Sequence, residues 1–233
     1  MNGARQGSTA LPERFQPKGL VHVIGLAGSG KTAFASRLAV DASSNGRVEW
    51  ICNDGKSSVL RYLRSTAQVC TGTHESIYVT FTREPSEAMA VIVSLSKRLN
   101  DEVSLVVIDP ITRTLDLANV DSPMWGRELI EEIMPVLASL ANNKGTPILL
   151  TSECRYVPDL GVIPIHHETI QKWIDREILL KRSYGETETS IQELTPSGNL
   201  GTIGKLWLTE SGAVELRSNS SIIDAREAAD PVW

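Results

Sequence analysis

The sequence has few cysteines and no pattern among them. Cys52, Cys70 and Cys154 are odd in number, far apart, and part of no CxxC or Cys/His cluster. That argues against a disulfide framework and against a zinc site. Free thiols are expected of a reducing, cytoplasmic setting. There is no long apolar run: nothing approaches the roughly 18 residues a bilayer span needs, so no membrane association is expected. The first residues, MNGARQGSTALPERFQPKG, lack the apolar stretch of a secretory signal. There is no excess of positive charge either. Lys plus Arg is 23 against 28 Asp plus Glu, a net charge of −5. A strongly basic nucleic-acid coat protein is excluded, although a local basic patch is not. No internal repeat or low-complexity block is visible.

What is present is a regular alternation. The 233 residues are 41% hydrophobic, enough for one large α/β core. Short apolar runs at LVHVI (20–24), RVEWIC (47–52), SIYVTF (76–81), VSLVVID (103–109) and PILLT (147–151) read as strands. Helical segments separate them at 31–44, 57–69, 85–99 and 125–142, the last broken or bent near Pro135. Continuous rather than alternating apolar runs suit a parallel sheet covered on both faces. After Trp173 the pattern changes. Strand-like segments at 174–182, 189–194, 205–209 and 213–217 are separated by polar turns, with Glu210-Ser211-Gly212 as a hairpin turn. The expected organisation is a flexible arm over 1–18, one domain over 19–218 and a flexible tail over 219–233.

The strongest chemical signal is GLAGSGKT: Gly25, Leu26, Ala27, Gly28, Ser29, Gly30, Lys31 and Thr32. It fits G-x-x-x-x-G-K-[ST] directly after one predicted strand and at the start of a predicted helix. Glycines let the backbone wrap a phosphate with N–H groups facing inward, and the helix N-terminus adds partial positive charge. In that chemistry Lys31 reaches the β- and γ-phosphates of ATP, and the Thr32 hydroxyl binds Mg²⁺. Asp109 ends a buried apolar strand, where α/β sheets bind ligands, and is the natural second holder of the metal. Asp54, before Gly55, and Glu153, after PILLT, are polar residues at strand ends; a turn role and a phosphate-sensing role are both open for them.

With these motifs, the two strands between the phosphate-loop strand and the Asp109 strand, and the C-terminal hairpin extension, the chain resembles the RecA superfamily of ATPases. The likeness is to the archaeal RadA/RadB recombinase family, and more to its core-only RadB branch. It covers about residues 18–217. The resemblance implies a RecA-type P-loop NTPase core: a mostly parallel sheet, helices on both faces, and an antiparallel hairpin extension. WICNDG (50–55) lies where the family has a segment like YIDTEG. This places Asp54 at the position of the residue that activates the attacking water, one methylene shorter, so slow hydrolysis is expected. Arg61 falls where the family stacks an Arg on adenine. Asp109 carries over; Pro110 departs from the family's Asp-Ser. Glu153 stands where a Gln couples ATP to a DNA-binding loop, and a carboxylate there needs a compensating cation.

The resemblance also implies two DNA-facing loops, at about 114–126 and 155–169. Their few basic residues, Arg155, His166 and His167, give DNA binding little support. Tyr156 and Trp125 are candidates for base stacking, and Lys172, Arg176, Lys181 and Arg182 are an alternative footprint. No Phe-x-x-Ala docking segment follows any of the three phenylalanines, so a long independent filament is not expected; smaller oligomers and a RadA-like recombinase partner stay open. The expected function is an ATP- and Mg²⁺-binding accessory protein of homologous recombination and DNA repair. The alternatives are a KaiC-like regulatory ATPase that does not act on DNA, and a P-loop small-molecule kinase.

Overall fold

The computed structural model describes residues 11–114, 125–158, 161–194 and 200–219. The tail beyond 219, residues 1–10 of the arm and most of the expected loop at 114–126 lie outside the described residues. The parallel half of the sheet comprises β1 (Leu20–Gly25), β2 (Arg47–Cys52), β3 (Ile77–Phe81), β4 (Val103–Asp109) and β5 (Ile148–Val157). It continues through β7 (Arg176–Lys181), after a short β6 (Gly161–Pro164) that pairs with β5 alone. The antiparallel extension is β8 (Glu188–Leu194), β9 (Leu200–Leu208) and β10 (Val214–Ser218). The order across the sheet is β10-β9-β8-β7-β1-β5-β4-β2-β3. The fold is thus α/β, with a mostly parallel mixed sheet and a C-terminal antiparallel hairpin.

Helices cover both faces of the parallel half, and alternation along each strand sets the division. Val21 and Val23 of β1, with Val48 and Trp50 of β2, point to one face. There they pack on Phe34 and Leu38 of α1 (Lys31–Ala42) and on Val59 and Leu63 of α2 (Ser58–Ala67). Leu20 of β1 and Ile148 and Leu150 of β5 point to the other face. They meet Ile92 and Leu95 of α3 (Pro85–Arg98) and Ile133, Met134 and Leu137 of α4 (Trp125–Lys144). α3 begins where Pro85 has no N–H to lose, and the Glu87 carboxylate accepts the Arg83 N–H just ahead of it.

Three differences from the sequence reading matter. α4 is not broken at Pro135: it runs as one helix from Trp125 to Lys144. β5 continues six residues past Thr151 and folds back as a hairpin on β6. Of the segment expected as a loop from 155, residues 155–157 and 161–164 are therefore extended backbone, followed by the four-residue α5 (His167–Ile170). Residues 11–18, expected to be loose, carry a 3₁₀ turn at Glu13–Phe15. The Phe15 ring is fully buried and meets Phe34 edge-on, centroids 6.3 Å apart. Among the described residues no helix is long and apolar enough to cross a membrane.

Candidate functional site

The carboxyl ends of β1, β2, β4 and β5 open on one side of the sheet, where a parallel α/β fold leaves a crevice. A cavity of about 260 Å³ lies there. From the phosphate-loop motif, Ala27, Gly28, Gly30, Lys31 and Thr32 line it. Gly28 and Gly30 adopt φ of 77° and 95°, the left-handed region open to glycine at little cost. Gly25 is needed for space: a Cβ there would lie 2.6 Å from the Leu180 carbonyl oxygen. Leu26 is exposed and its carbonyl, like that of Gly25, accepts a hydrogen bond from the Lys31 ammonium, at 3.0 and 2.7 Å. Burial lowers the Lys31 pKa, opposed by Cys154, Asp109 and Glu153. The Ser29 hydroxyl is buried with no protein partner.

Asp109 is buried at the end of β4. The Thr151 and Thr32 hydroxyls both donate to its carboxylate. Burial raises its pKa against those two bonds. The pairing joins the ends of β4 and β5 to the first turn of α1 and places the two expected metal-holding residues side by side. Among the described residues no three His, Cys, Asp or Glu side chains form a metal cluster. A Mg²⁺ bound through one hydroxyl, water and phosphate oxygens does not need one.

Asp54 and Glu153 both line the cavity. Asp54 accepts three hydrogen bonds from its own turn. The Lys56 N–H donates at 3.0 Å, the Lys56 ammonium lies at 2.9 Å, and the Cys52 thiol donates at 3.3 Å. Burial alone would raise the Asp54 pKa; these donors outweigh it and hold the carboxyl low. Burial first, and then the bond to the Asp54 carboxylate, push the Cys52 thiol up to about 12. The Glu153 N–H reaches the Thr112 hydroxyl at 3.4 Å. Next along β5, the Cys154 sulfur accepts the Gly25 N–H at 3.1 Å, tying the first residue of the phosphate loop to this strand.

Arg61 is not among the residues lining the cavity. It is exposed, with its guanidinium 5.6 Å from the ring of Tyr62, and it is Tyr62 that faces the cavity. Sequence reasoning also missed Lys56, and missed Thr187, Thr189, Leu206 and Leu208, which, with Arg182 from the expected DNA footprint, bring the antiparallel extension into the same cavity. Thr189 holds that junction: its hydroxyl donates to the Ser29 carbonyl at 3.1 Å. For Lys56 the available signal was position, since it follows Asp54 by two residues; Arg182 directly follows β7, the strand that pairs with β1.

The basic run 172–182 does not form one stripe. Arg176 makes a two-point ion pair with Glu193 at 2.6 and 3.0 Å. Arg182 turns into the cavity, and strand alternation sends Lys181 to the opposite face. Tyr156 is 69% exposed on the β5–β6 hairpin. No protein-family model matches the chain, and no curated protein matches it.

Proposed function

We propose that the chain is an ATP-binding, RadB-like accessory protein of homologous recombination and DNA repair, with slow Mg²⁺-dependent hydrolysis. The observation that carries the nucleotide part is the convergence of Lys31, Thr32, Asp109, Asp54 and Glu153 on one cavity at the carboxyl ends of parallel strands. The residues fit the group. The open left-handed turn at Gly28 would seat a phosphate against backbone N–H groups, and no atom lies within 4 Å of where a Cβ would stand. Thr32 and Asp109 would hold Mg²⁺, which supplies charge neutralisation to the phosphates. Asp54 would accept the proton of the attacking water. Its short side chain and its three donors both slow that step.

The RecA-type reading draws support from the segments WICNDG, LVVID and TSE, and from β5 lying between β1 and β4. A second reading, a regulatory ATPase that does not act on DNA, is favoured by the composition of the β5–β6 hairpin. Its one described basic side chain is Arg155, with His166 and His167 beyond it.

One assay series separates these readings. ATP hydrolysis and ATP binding are measured with and without single-stranded DNA, alongside capture of a RadA-like recombinase. Nucleotide-dependent capture supports the accessory role. No capture in any nucleotide state sinks it, and hydrolysis indifferent to DNA then favours the regulatory reading. Lys31→Ala abolishes ATP binding if the cavity is the nucleotide site; unchanged binding removes that assignment.

A further inference from the structure

The turn after β2 holds a lysine that the phosphate-loop motif does not require. Lys56 lines the same cavity as Lys31, Thr32, Asp109 and Glu153. Gly55, at φ 65°, lets the chain reverse so that Lys56 meets Asp54 through both its backbone N–H and its ammonium group. The two partners differ in freedom. The Lys56 side chain is 62% exposed and that of Asp54 13%. The ammonium therefore sits at the solvent end of a flexible four-carbon stem, while the carboxylate is fixed.

Charge shows what the lysine is for. The cavity lining carries three cations, Lys31, Lys56 and Arg182, and three carboxylates, Asp54, Asp109 and Glu153. Lys31 and Lys56 line one cavity, so an anion held there would meet both ammonium groups. Lys31 and the α1 amides approach such an anion from the β1 side. Lys56 approaches from the β2 side, where Cys52 pairs in register with Asp109. A phosphate chain entering along the α1 N-terminus would present its outermost group there. That group would also need a cation against Glu153.

We propose that Lys56 binds the terminal phosphate of a nucleoside triphosphate, and that its pairing with Asp54 is a resting latch which that phosphate opens. The inference rests on the nucleotide reading above. When the ammonium turns to a phosphate oxygen, one Asp54 oxygen loses its partner and becomes able to accept a proton from water. Asp54 is thereby held back until a triphosphate is present.

The test compares Mg·ATP and Mg·ADP binding to the full chain by isothermal titration, in the wild type, Lys56→Met and Lys56→Arg. Loss of one charge-assisted contact lowers ATP affinity about 10- to 100-fold in Lys56→Met, with ADP affinity changed less than about threefold. Lys56→Arg keeps ATP affinity within about fivefold, since it retains the charge. The exposed position means both variants fold, which a thermal melt checks. Equal losses for ATP and ADP, or no loss, overturn the assignment. A wild type that binds neither nucleotide overturns the nucleotide reading and this one with it. A wild type that binds ATP alongside an unaffected Lys56→Met overturns this one alone.

Discussion

His22 Nε2 lies 2.7 Å from Ser152 Oγ, and both residues are fully buried in the sheet. The other ring nitrogen, Nδ1, donates to Glu177 Oε1 at 2.9 Å. A carboxylate only accepts, so the proton sits on Nδ1 and the Ser152 hydroxyl donates to Nε2. His167 donates to the second Glu177 oxygen at 3.1 Å. Four polar groups on β1, β5, β7 and α5 thus satisfy one another inside the protein. Ser152 and Glu153 are neighbours on β5, so strand alternation aims one into this network and the other toward the cavity.

Glu177→Ala leaves His22 buried without its acceptor and removes the tie to α5. Breaking a buried polar pair by removing one partner costs about 2–4 kcal/mol. Urea unfolding of wild type and variant measures it. A loss under about 0.5 kcal/mol would be the size of an ordinary surface change and would discount the network.

The same network sets a pH dependence. The hydrogen bond to Glu177 raises the His167 pKa above its ordinary 6.5, against burial and with added help from the Glu177 and Glu168 charges. That contribution is complete below pH 6.5 and is lost as pH rises through the folded value. Burial would raise Glu177, but its bonds from His167 and His22 carry it down to about 2, so its contribution fades only as pH falls from 4.5 toward 2. His22, lowered chiefly by burial, acts oppositely to His167: stability falls as pH drops below 6.5. His167→Gln should therefore cost about 1 kcal/mol more at pH 5.5 than at pH 8.5. Denaturant titrations at both pH values test this, and equal costs would place the effect outside the ion pair.

Asp54→Glu restores the longer carboxylate and raises turnover. Asp54→Ala lowers it about 100-fold or more if this group accepts the proton. Steady-state hydrolysis by both variants decides; turnover unchanged in Asp54→Ala moves the base elsewhere.

Phe15→Ala empties a fully enclosed site against Phe34 and costs about 3–4 kcal/mol. The ring also reaches under Gly204, where a Cβ would come 2.5 Å from it and 2.2 Å from the Arg217 carbonyl oxygen. Thermal unfolding reads the loss. A melt within a degree or two of wild type would mean that this segment is not part of the core.

The parallel core was legible because its inner strands β1, β4 and the first half of β5 are buried on both faces and read as largely apolar runs. β2 and β4 begin and end where the runs do. β5 was cut short at Thr151 because its outer half, Ser152 to Tyr156, is polar; its pairing with β6 comes from chain reversal, not from hydrophobicity. The phosphate-loop residues and Asp109 were legible from spacing. Tyr62 was not, because one residue along a helix turns a side chain by about 100° and exchanges it with Arg61 at the cavity. Arg182 and Leu206 were hidden by topology, since nothing local shows that β7 returns to β1.

That return has a temporal side. β1 is made well before its partners, which are residues 148–153 and 176–179. At ribosomal rates of about 5–20 residues per second, the run LVHVI waits roughly 6–25 s for its first neighbour strand. Loop closure over that distance slows folding further. During that interval α1, made directly after β1, is there to cover one of its faces, but both edges of the future central strand are uncovered and open to mispairing.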